Sequence, residues 1–127
     1  MREFSRKDRL KDQIMREVAD IVQTRVKDPN LGFVTITDAE LTNDLRNARV
    51  FFSVLGDDDD KRRSKKVLNK GLAMIQSELA RRLNIRHSPS IEFELDTSAE
   101  YGARMEELFK QIEKEREDKA GDEDDEE

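Results

Sequence analysis

The sequence has no cysteine and a single histidine, His87. Without cysteine the chain can form no disulfide, no thiol nucleophile and no thiolate metal site, and one histidine leaves little basis for imidazole catalysis or metal binding. The aspartate run at residues 57–60 has neither the spacing nor the glycine placement of a calcium loop. We therefore expect no metal and no cofactor.

Long apolar runs are also missing. No stretch approaches the roughly 18 consecutive apolar residues that span a membrane, and the N-terminal sequence MREFSRKDRLKDQ lacks the apolar centre of a signal peptide. These absences favour a cytoplasmic protein with no membrane partner. The 127 residues show no repeat and suffice for one domain and a tail.

Charge is distributed unevenly along the chain. Of the net charge of −6, residues 113–127 contribute −7, from ten acidic and three basic residues, which leaves +1 for residues 1–112. A like-charged segment with almost no apolar residues buries too little surface to offset the entropy lost on ordering. We therefore predict a folded domain over residues 1–112 and a disordered acidic tail over residues 113–127.

An amphipathic helix is predicted from Ser5 to about Lys27. Ser5 can cap its first turn, and the sequence KDPN ends it, because Pro29 disfavours helical geometry in Asp28 and has no backbone N–H to donate. Apolar residues recur along this segment at three- and four-residue steps. They are Leu10, Ile14, Val18, Ile21, Val22 and Val26.

Three strands are indicated by alternating apolar and polar residues. The segments GFVTITDAEL and RNARVFFSVL, with the turn residues TND between them, predict an antiparallel hairpin. The segment SIEFELD predicts a third strand. The residues expected to face the core are Val34, Ile36, Ala48, Val50, Phe52, Val54, Ile91, Phe93 and Leu95.

A long helix from about Asp60 to Asn84 contains Gly71 among apolar residues at helical spacing. Glycine costs about 1 kcal/mol there relative to alanine. A straight helix of that length would measure roughly 36 Å, whereas strands of about eight residues reach about 27 Å. The helix would overhang the sheet, and glycine commonly accompanies a bend, so we predict a break at this position.

A last helix carries an apolar stripe whose expected place is the core, with docking of a partner as the alternative. The stripe comprises Tyr101, Met105, Leu108, Phe109 and Ile112. In order, the elements are helix, strand, strand, helix, broken helix, strand and helix. Because three amphipathic strands share one apolar face that helices must cover, this order predicts a two-layer α+β sandwich.

Two stretches, VKDPNLGFVTITDAELTNDLRNARVFFSVL and RRLNIRHSPSIEFELDTSAEYGARMEELF, resemble the ribosome-binding factor A family, whose members assist assembly of the bacterial small ribosomal subunit. The resemblance extends from Arg6 to about Ile112. Its markers, in this order and spacing, are Lys27, Asp28, Pro29, Asp44, Leu45, Ala48, Val50, Arg86, Pro89, Phe93 and Asp96.

The resemblance implies a type II K-homology fold, ordered α, β, β, α, α, β, and binding to the free small (30S) ribosomal subunit and its 16S rRNA during late maturation. It also implies that an interhelical kink at a small residue replaces the GxxG loop with which K-homology domains clamp single-stranded nucleic acid. No two glycines here are three residues apart, and the stretch Gly71, Leu72, Ala73 occupies the place of the kink. The sequence leaves open whether Gly71 or Ala73 bends.

Without that clamp, basic side chains must supply much of the affinity by neutralising phosphates and releasing counterions. Any single cation is equally well explained as part of a solvated face, whereas the clusters favour RNA binding. The predicted contacts are Lys65, Lys66 and Lys70 before the kink, Arg81, Arg82 and Arg86 after it, Arg6 and Arg9 on the first helix, and Arg46 and Arg49 on the second strand. The same clusters include Arg2, Lys7, Lys11, Lys61, Arg62 and Arg63.

No pattern predicts an enzyme or a small-molecule substrate. A glycine-rich phosphate loop, a zinc ligand set and an activated nucleophile are all missing. The resemblance instead predicts a monomeric, non-catalytic factor that binds the small subunit and assists the late folding and processing of 16S rRNA. The alternatives are a protein-binding adaptor, in which the acidic tail or the last helix engages a partner, and a general RNA chaperone without subunit specificity.

Overall fold

Four helices and a three-stranded sheet make up the described chain. The computed structural model describes the backbone of residues 5–125 and, within that range, all side chains except those of residues 99–101, 103 and 118–125. The elements, in chain order, are α1 (Arg6–Arg25), β1 (Phe33–Leu41), β2 (Asn47–Leu55), α2 (Asp58–Lys70), α3 (Leu72–Leu83), β3 (Ser90–Leu95) and α4 (Ser98–Asp125). This confirms the predicted α+β class and the type II K-homology order, followed by a C-terminal helix.

Polar side chains cap the first two helices. The Ser5 hydroxyl accepts the backbone N–H of Asp8, whose carboxylate accepts the backbone N–H of Ser5, so α1 begins with a reciprocal capping box. Asp57 and Asp60 form the same arrangement at the start of α2. The aspartate run is therefore a helix cap, and α2 begins two residues before the predicted start at Asp60.

The sheet has the strand order β1-β2-β3. Strands β1 and β2 pair antiparallel, with a bulge between Ile36 and Asp38, and β3 pairs with β2 in parallel. A parallel neighbour requires a crossover connection, which α2 and α3 provide. The beginnings of β2 and β3 consequently lie at the same end of the sheet, together with the turn that joins β1 to β2.

Helices α1, α2 and α3 cover one face of the sheet, and the core lies between the two layers. The predicted apolar faces of α1 and of the three strands are confirmed, with some residues only partly buried at the edge of the core. These are Leu10, Val26, Val34, Ile36 and Leu95. Phe52 and Phe93 meet edge to face, with ring centroids 6.2 Å apart. The buried cluster contains Ile14, Val18, Ile21, Val22, Leu41, Ala48, Val50, Phe52, Val54, Leu68, Ile75, Leu79, Leu83, Ile91 and Phe93.

Gly71 separates α2 from α3, and Leu72 and Ala73 are the first residues of α3. Gly71 has φ −89° and ψ 4°. Its N–H still donates to the Val67 carbonyl at 3.0 Å, and its carbonyl accepts from the Ile75 N–H at 2.9 Å, so the interruption is confined to one residue. A Cβ at position 71 would lie 3.5 Å from the Val67 oxygen, an ordinary contact, so this backbone does not demand glycine.

The chain divides into two compact units, one up to Asp96 and one from Thr97 onward. Helix α4 continues to Asp125. The predicted division of the chain after Ile112, with a disordered acidic tail beyond it, stays a prediction.

The apolar stripe of α4 is not buried as predicted. Phe109 is 58% exposed, Leu108 and Ile112 are exposed as well, and Met105 is partly buried. The side chain of Tyr101 lies outside the described residues. Among the helices described, none combines the length and apolar character needed to cross a membrane.

Candidate nucleic-acid interface

The predicted cations comprise one exposed group on α2, a second where β2 and β3 begin, the exposed Arg6 and Arg9 of α1, and a set already held by carboxylates. The first exposed group lies on α2, beside the α1–β1 loop. Arg63, Lys66 and Lys70 line a groove of about 370 Å³ there together with Asn30 and Asp28. We call Arg63, Lys66, Lys70 and Asn30 the α2 surface.

The buried face of α2 explains why these side chains point outward. Ser64, Val67 and Leu68 are buried, so residues 66 and 70, which lie one helical turn apart, are directed to solvent. The Ser64 hydroxyl accepts the backbone N–H of Gly32 at 2.9 Å. This buried contact fixes the chain that follows Asn30 against the helix.

The loop beside α2 is a compact turn. The Asp28 carboxylate accepts the backbone N–H of Asn30 at 2.9 Å, and the Asp28 carbonyl accepts the N–H of Leu31. The Asn30 side chain is thereby held next to the lysines. Two ammonium groups beside a carboxamide can bind a phosphate and one further hydrogen-bonding group of a nucleic acid.

Lys65 projects from another side of α2, in a groove formed with Asp58, Lys61, Arg62 and Leu95. In the described part of the chain, Lys65, Lys66 and Lys70 are exposed and have no hydrogen bond or ion pair. Their charges are thus available to an external anion, and they lie directly before the break at Gly71.

The second exposed group lies at the opposite end of β1, where β2 and β3 begin. The Arg46 carbonyl accepts the backbone N–H of Ser90 at 2.8 Å, so the turn before β2 adjoins the loop before β3. Arg46, Arg86 and His87 are all exposed. We call these three residues the strand-start surface. Because Arg46 is far from Arg86 and His87 in the sequence, their common position at one end of the sheet is seen only in the structure.

Gln76 of α3 fixes the loop that carries Arg86 and His87. Its side-chain nitrogen donates to the Pro89 carbonyl, and its side-chain oxygen accepts the Ile91 N–H at 2.7 Å. A carboxamide that bridges two backbone groups of one loop restricts that loop, since both bonds would have to break for it to move.

Arg82 is engaged inside the protein. Its guanidinium donates to Asp20 at 2.6 Å, to Glu17 at 3.1 Å and to Glu78 at 3.2 Å, which joins α3 to α1. These hydrogen bonds, the one to Asp20 foremost, raise the pKa of Arg82, and the bond from Arg82 lowers the pKa of Glu78. Only 22% of the Arg82 side chain is exposed, so we assign it a structural role rather than an RNA contact.

Several other predicted cations are also paired. Arg81 contacts Glu78 at 3.0 Å, Arg49 contacts Glu94 at 3.0 Å, and Lys11 contacts Asp38 at 2.9 Å. On α2, Lys61, Arg62 and Arg63 pair with the aspartates three residues before them. On α1, Arg6 and Arg9 are exposed, Lys7 donates to Asn43 of the β1–β2 turn at 3.2 Å, and Arg2 lies outside the described residues.

Three residues that shape these surfaces were missed by the sequence analysis, namely Asn30, Ser64 and Gln76. Gln76 had a recognisable signal, because it lies four residues after Leu72 and three before Leu79, a core interval where a polar residue needs a partner. Ser64 and Asn30 had no comparable signal. Among the described residues no three His, Cys, Asp or Glu side chains are grouped to hold a metal ion.

Comparison with known proteins adds a sequence relationship. Residues 6–109 match the family model described as Ribosome-binding factor A. The ribosome-binding factor A of Staphylococcus epidermidis is 44% identical over 109 residues, which is 86% of this chain and 94% of that protein. That of Desulforamulus reducens is 41% identical over 107 residues, covering 84% of this chain and 89% of that protein.

Solved structures show the same fold. The solution structure of a Thermotoga maritima protein assigned as a ribosome binding factor A is 29% identical, with a TM-score of 0.66 over 74% of this chain and 90% of that one. The crystal structure of ribosome-binding factor A from Thermus thermophilus is 24% identical, with a TM-score of 0.63 over 72% and 97%. A homology model of the Thermus thermophilus protein, fitted into a cryo-EM map of its complex with the 30S subunit, has a TM-score of 0.59 at 24% identity over 70% and 93%.

Proposed function

Because the chain belongs to the ribosome-binding factor A family, we propose that it binds the free small ribosomal subunit through 16S rRNA and assists the late folding and processing of that RNA in the cytoplasm. In this proposal it acts as a monomer, without catalysis and without a small-molecule substrate. The Thermus thermophilus relative fitted into a map of a 30S complex supports the choice of partner.

One observation carries the proposal. Lys65, Lys66 and Lys70 are exposed and unpaired among the described residues, and they lie directly before the break at Gly71. The resemblance places this break where other K-homology domains have their nucleic-acid clamp. The other cations of α2 and α3 are paired with carboxylates, so the free charge of these two helices lies on the three lysines before the break.

The proposed mechanism is electrostatic positioning. Lys66 and Lys70 neutralise phosphates on the α2 surface, and each such contact releases counterions and so contributes affinity. Arg46 and Arg86 of the strand-start surface make a second contact at the other end of the sheet. A rigid domain that holds two RNA segments at a fixed spacing favours the rRNA conformation in which that spacing occurs.

Sedimentation tests the proposal directly. The protein is mixed with free small subunits, free large subunits and intact ribosomes, and each particle is pelleted through a sucrose cushion. We expect the protein to pellet with free small subunits alone. The logarithm of its affinity for them should fall linearly with the logarithm of the salt concentration. Equal binding to protein-free 16S rRNA and to subunits would indicate a general RNA chaperone, and recovery with no particle would overturn the proposal.

A further inference from the structure

The face of the sheet that is turned away from α1, α2 and α3 carries an apolar area. Phe33 and Leu55 are paired residues at the end of the β1–β2 hairpin, and they are 81% and 80% exposed. Phe33 precedes the partly buried Val34, and Leu55 follows Val54, the buried partner of Val34, so both point to the side away from the core. Phe51, four residues before Leu55 on β2, points to this side as well and is partly exposed.

Large apolar side chains on a hydrogen-bonded sheet are costly to leave in water and cannot turn inward without changing the strand register. Contiguous exposed apolar area of this kind commonly marks a contact site. We call this side of the sheet the open face.

The other half of the open face is acidic. Glu40 points outward from β1, and Glu92 and Glu94 point outward from β3. Arg49 of β2 lies between them. Arg49 contacts Glu94 at 3.0 Å and Glu40 at 4.0 Å, so its charge is already shared by two carboxylates. These four side chains carry a net negative charge next to the apolar residues.

We propose that the open face docks a basic protein segment bearing apolar side chains, contributed by a protein of the small ribosomal subunit. The proposal rests on the proposed function, which brings the chain to that particle. Apolar side chains of the segment would cover Phe33 and Leu55, and its cations would meet Glu40, Glu92 and Glu94. The contact adds a protein partner to the RNA contacts made by the cationic surfaces.

Charge decides among the possible occupants. RNA would bring phosphates against three carboxylates, and a second copy of the chain would bring an identical acidic face. Residues 97–127 contain thirteen acidic and five basic residues, so this part of the chain also lacks the complementary charge. A basic segment with apolar side chains satisfies both halves of the open face.

The first test compares two variants with the wild type. The double variant Phe33→Ser/Leu55→Ser removes the apolar area, and Met74→Ser, which replaces an exposed apolar residue of α3, is the control. The probes are intact free small subunits and protein-free 16S rRNA. We expect the double variant to bind subunits about tenfold more weakly or worse, to bind the RNA as the wild type does, and to keep the wild-type circular dichroism spectrum.

Several outcomes would overturn the inference while leaving the proposed function standing. They are wild-type affinity of the double variant for subunits, an equal loss of affinity for subunits and for RNA, and a wild-type dimer that the double variant abolishes. If the wild type itself fails to bind subunits, the proposed function fails first and the inference falls with it.

A second test does not depend on a stable variant. A photoreactive phenylalanine analogue placed at position 33 is irradiated in the presence of free small subunits. We expect an adduct that survives ribonuclease and is destroyed by protease, and that contains a protein of the subunit. An adduct with rRNA, with a second copy or with another part of the same chain would refute the assignment.

Discussion

The side chain of Gln76 and the backbone of Ile91 are joined across the two layers of the domain. The Gln76 oxygen accepts the Ile91 N–H at 2.7 Å, just where β3 begins, and the same carboxamide donates to the Pro89 carbonyl. A helix of the covering layer thereby sets the path of the loop that presents Arg86. The stability of the domain and the proposed RNA contact of Arg86 are therefore linked through this one side chain.

Replacing Gln76 with alanine should therefore affect both the stability of the domain and the loop that presents Arg86. Loss of two partly buried hydrogen bonds leaves the Ile91 N–H without its partner, at a cost of about 1–3 kcal/mol in the free energy of unfolding. Urea denaturation measures that cost, and amide exchange should show faster opening at Ile91. The exposed Gln13 of α1 provides the control, since Gln13→Ala should change neither quantity by more than about 0.5 kcal/mol.

Neutralising the two lysines of the α2 surface should change the salt dependence of subunit binding. If Lys66 and Lys70 each neutralise one phosphate, Lys66→Gln/Lys70→Gln reduces the slope of log affinity against log salt by about two. The matched control is Arg62→Gln/Arg81→Gln, which removes the same charge from side chains already paired with Asp59 and Glu78. Equal slopes for the two double variants would contradict the assignment of the α2 surface.

The ion pairs of Arg82 should matter for stability rather than for RNA binding. Arg82→Ala leaves Glu17, Asp20 and Glu78 close together without their shared cation, so we expect Tm to fall by about 3–5 °C. Arg81→Ala removes an exposed pair and should leave Tm unchanged within about 1 °C. Thermal denaturation followed by circular dichroism measures the Tm of both variants. A larger fall in Tm for Arg81→Ala than for Arg82→Ala would contradict the structural role assigned to Arg82.

Stability should also depend on Lys11 at acid pH. The hydrogen bond from Lys11, with a second from the Ala39 N–H, lowers the pKa of Asp38 below its usual value of 3.8. Because the pKa of Asp38 is lower in the folded state, ionised Asp38 contributes fully to the free energy of unfolding above about pH 4. This contribution is lost as the pH falls through the folded-state pKa. In Lys11→Met the Asp38 pKa should rise, as a carboxyl NMR titration would show, and the acid-dependent part of the stability should shrink.

Two glycines should respond in opposite ways to alanine. At Gly71 a Cβ meets nothing closer than 3.5 Å and φ is negative, so Gly71→Ala should stabilise the fold by about 0.5 kcal/mol by restricting the unfolded chain. At Gly56, φ is 141° and a Cβ would clash with the Asp60 carboxylate, so Gly56→Ala should destabilise by about 1–3 kcal/mol. Denaturant unfolding of both variants decides the signs.

Subunit binding by Gly71→Ala gives a separate result about the break between α2 and α3. If binding needs a change of angle at Gly71, the variant should bind more weakly although it is more stable. Unchanged binding would show that the junction is used in the geometry seen here, and that alanine at residue 71 serves equally well.

Most of the fold could be predicted from the sequence because burial imposes a period on the residues that pack. The apolar steps of α1 and the alternation in β1, β2 and β3 locate these elements to within a few residues. The length of α4 could not be predicted in this way, because the residues beyond Ile112 have almost no apolar side chains whose burial would mark a helix.

The candidate site was less predictable, because a basic residue in a sequence does not show its partners. Arg82 and Arg86 read alike, yet Arg82 is held by carboxylates 62 and 65 residues away on α1, and Arg86 is exposed. Lys66 and Lys70 are distinguished from Arg62 and Arg63 only by having no aspartate three residues before them. The pairing of Arg82 with Glu17 and Asp20, by contrast, emerges only when α1 and α3 are packed together.

The parallel pairing of β3 with β2 also dictates an order of assembly. The hairpin of β1 and β2 needs only a short turn, but β3 can join it only after residues 56–89 have been made and placed as the crossover. During synthesis the core-facing side chains of β2, such as Val50 and Phe52, therefore stay exposed until the crossover helices and β3 have been made. Closing that long loop should be the slow step of folding. The chain also remains vulnerable to aggregation until Leu95, the last residue of β3, has left the ribosome that makes it.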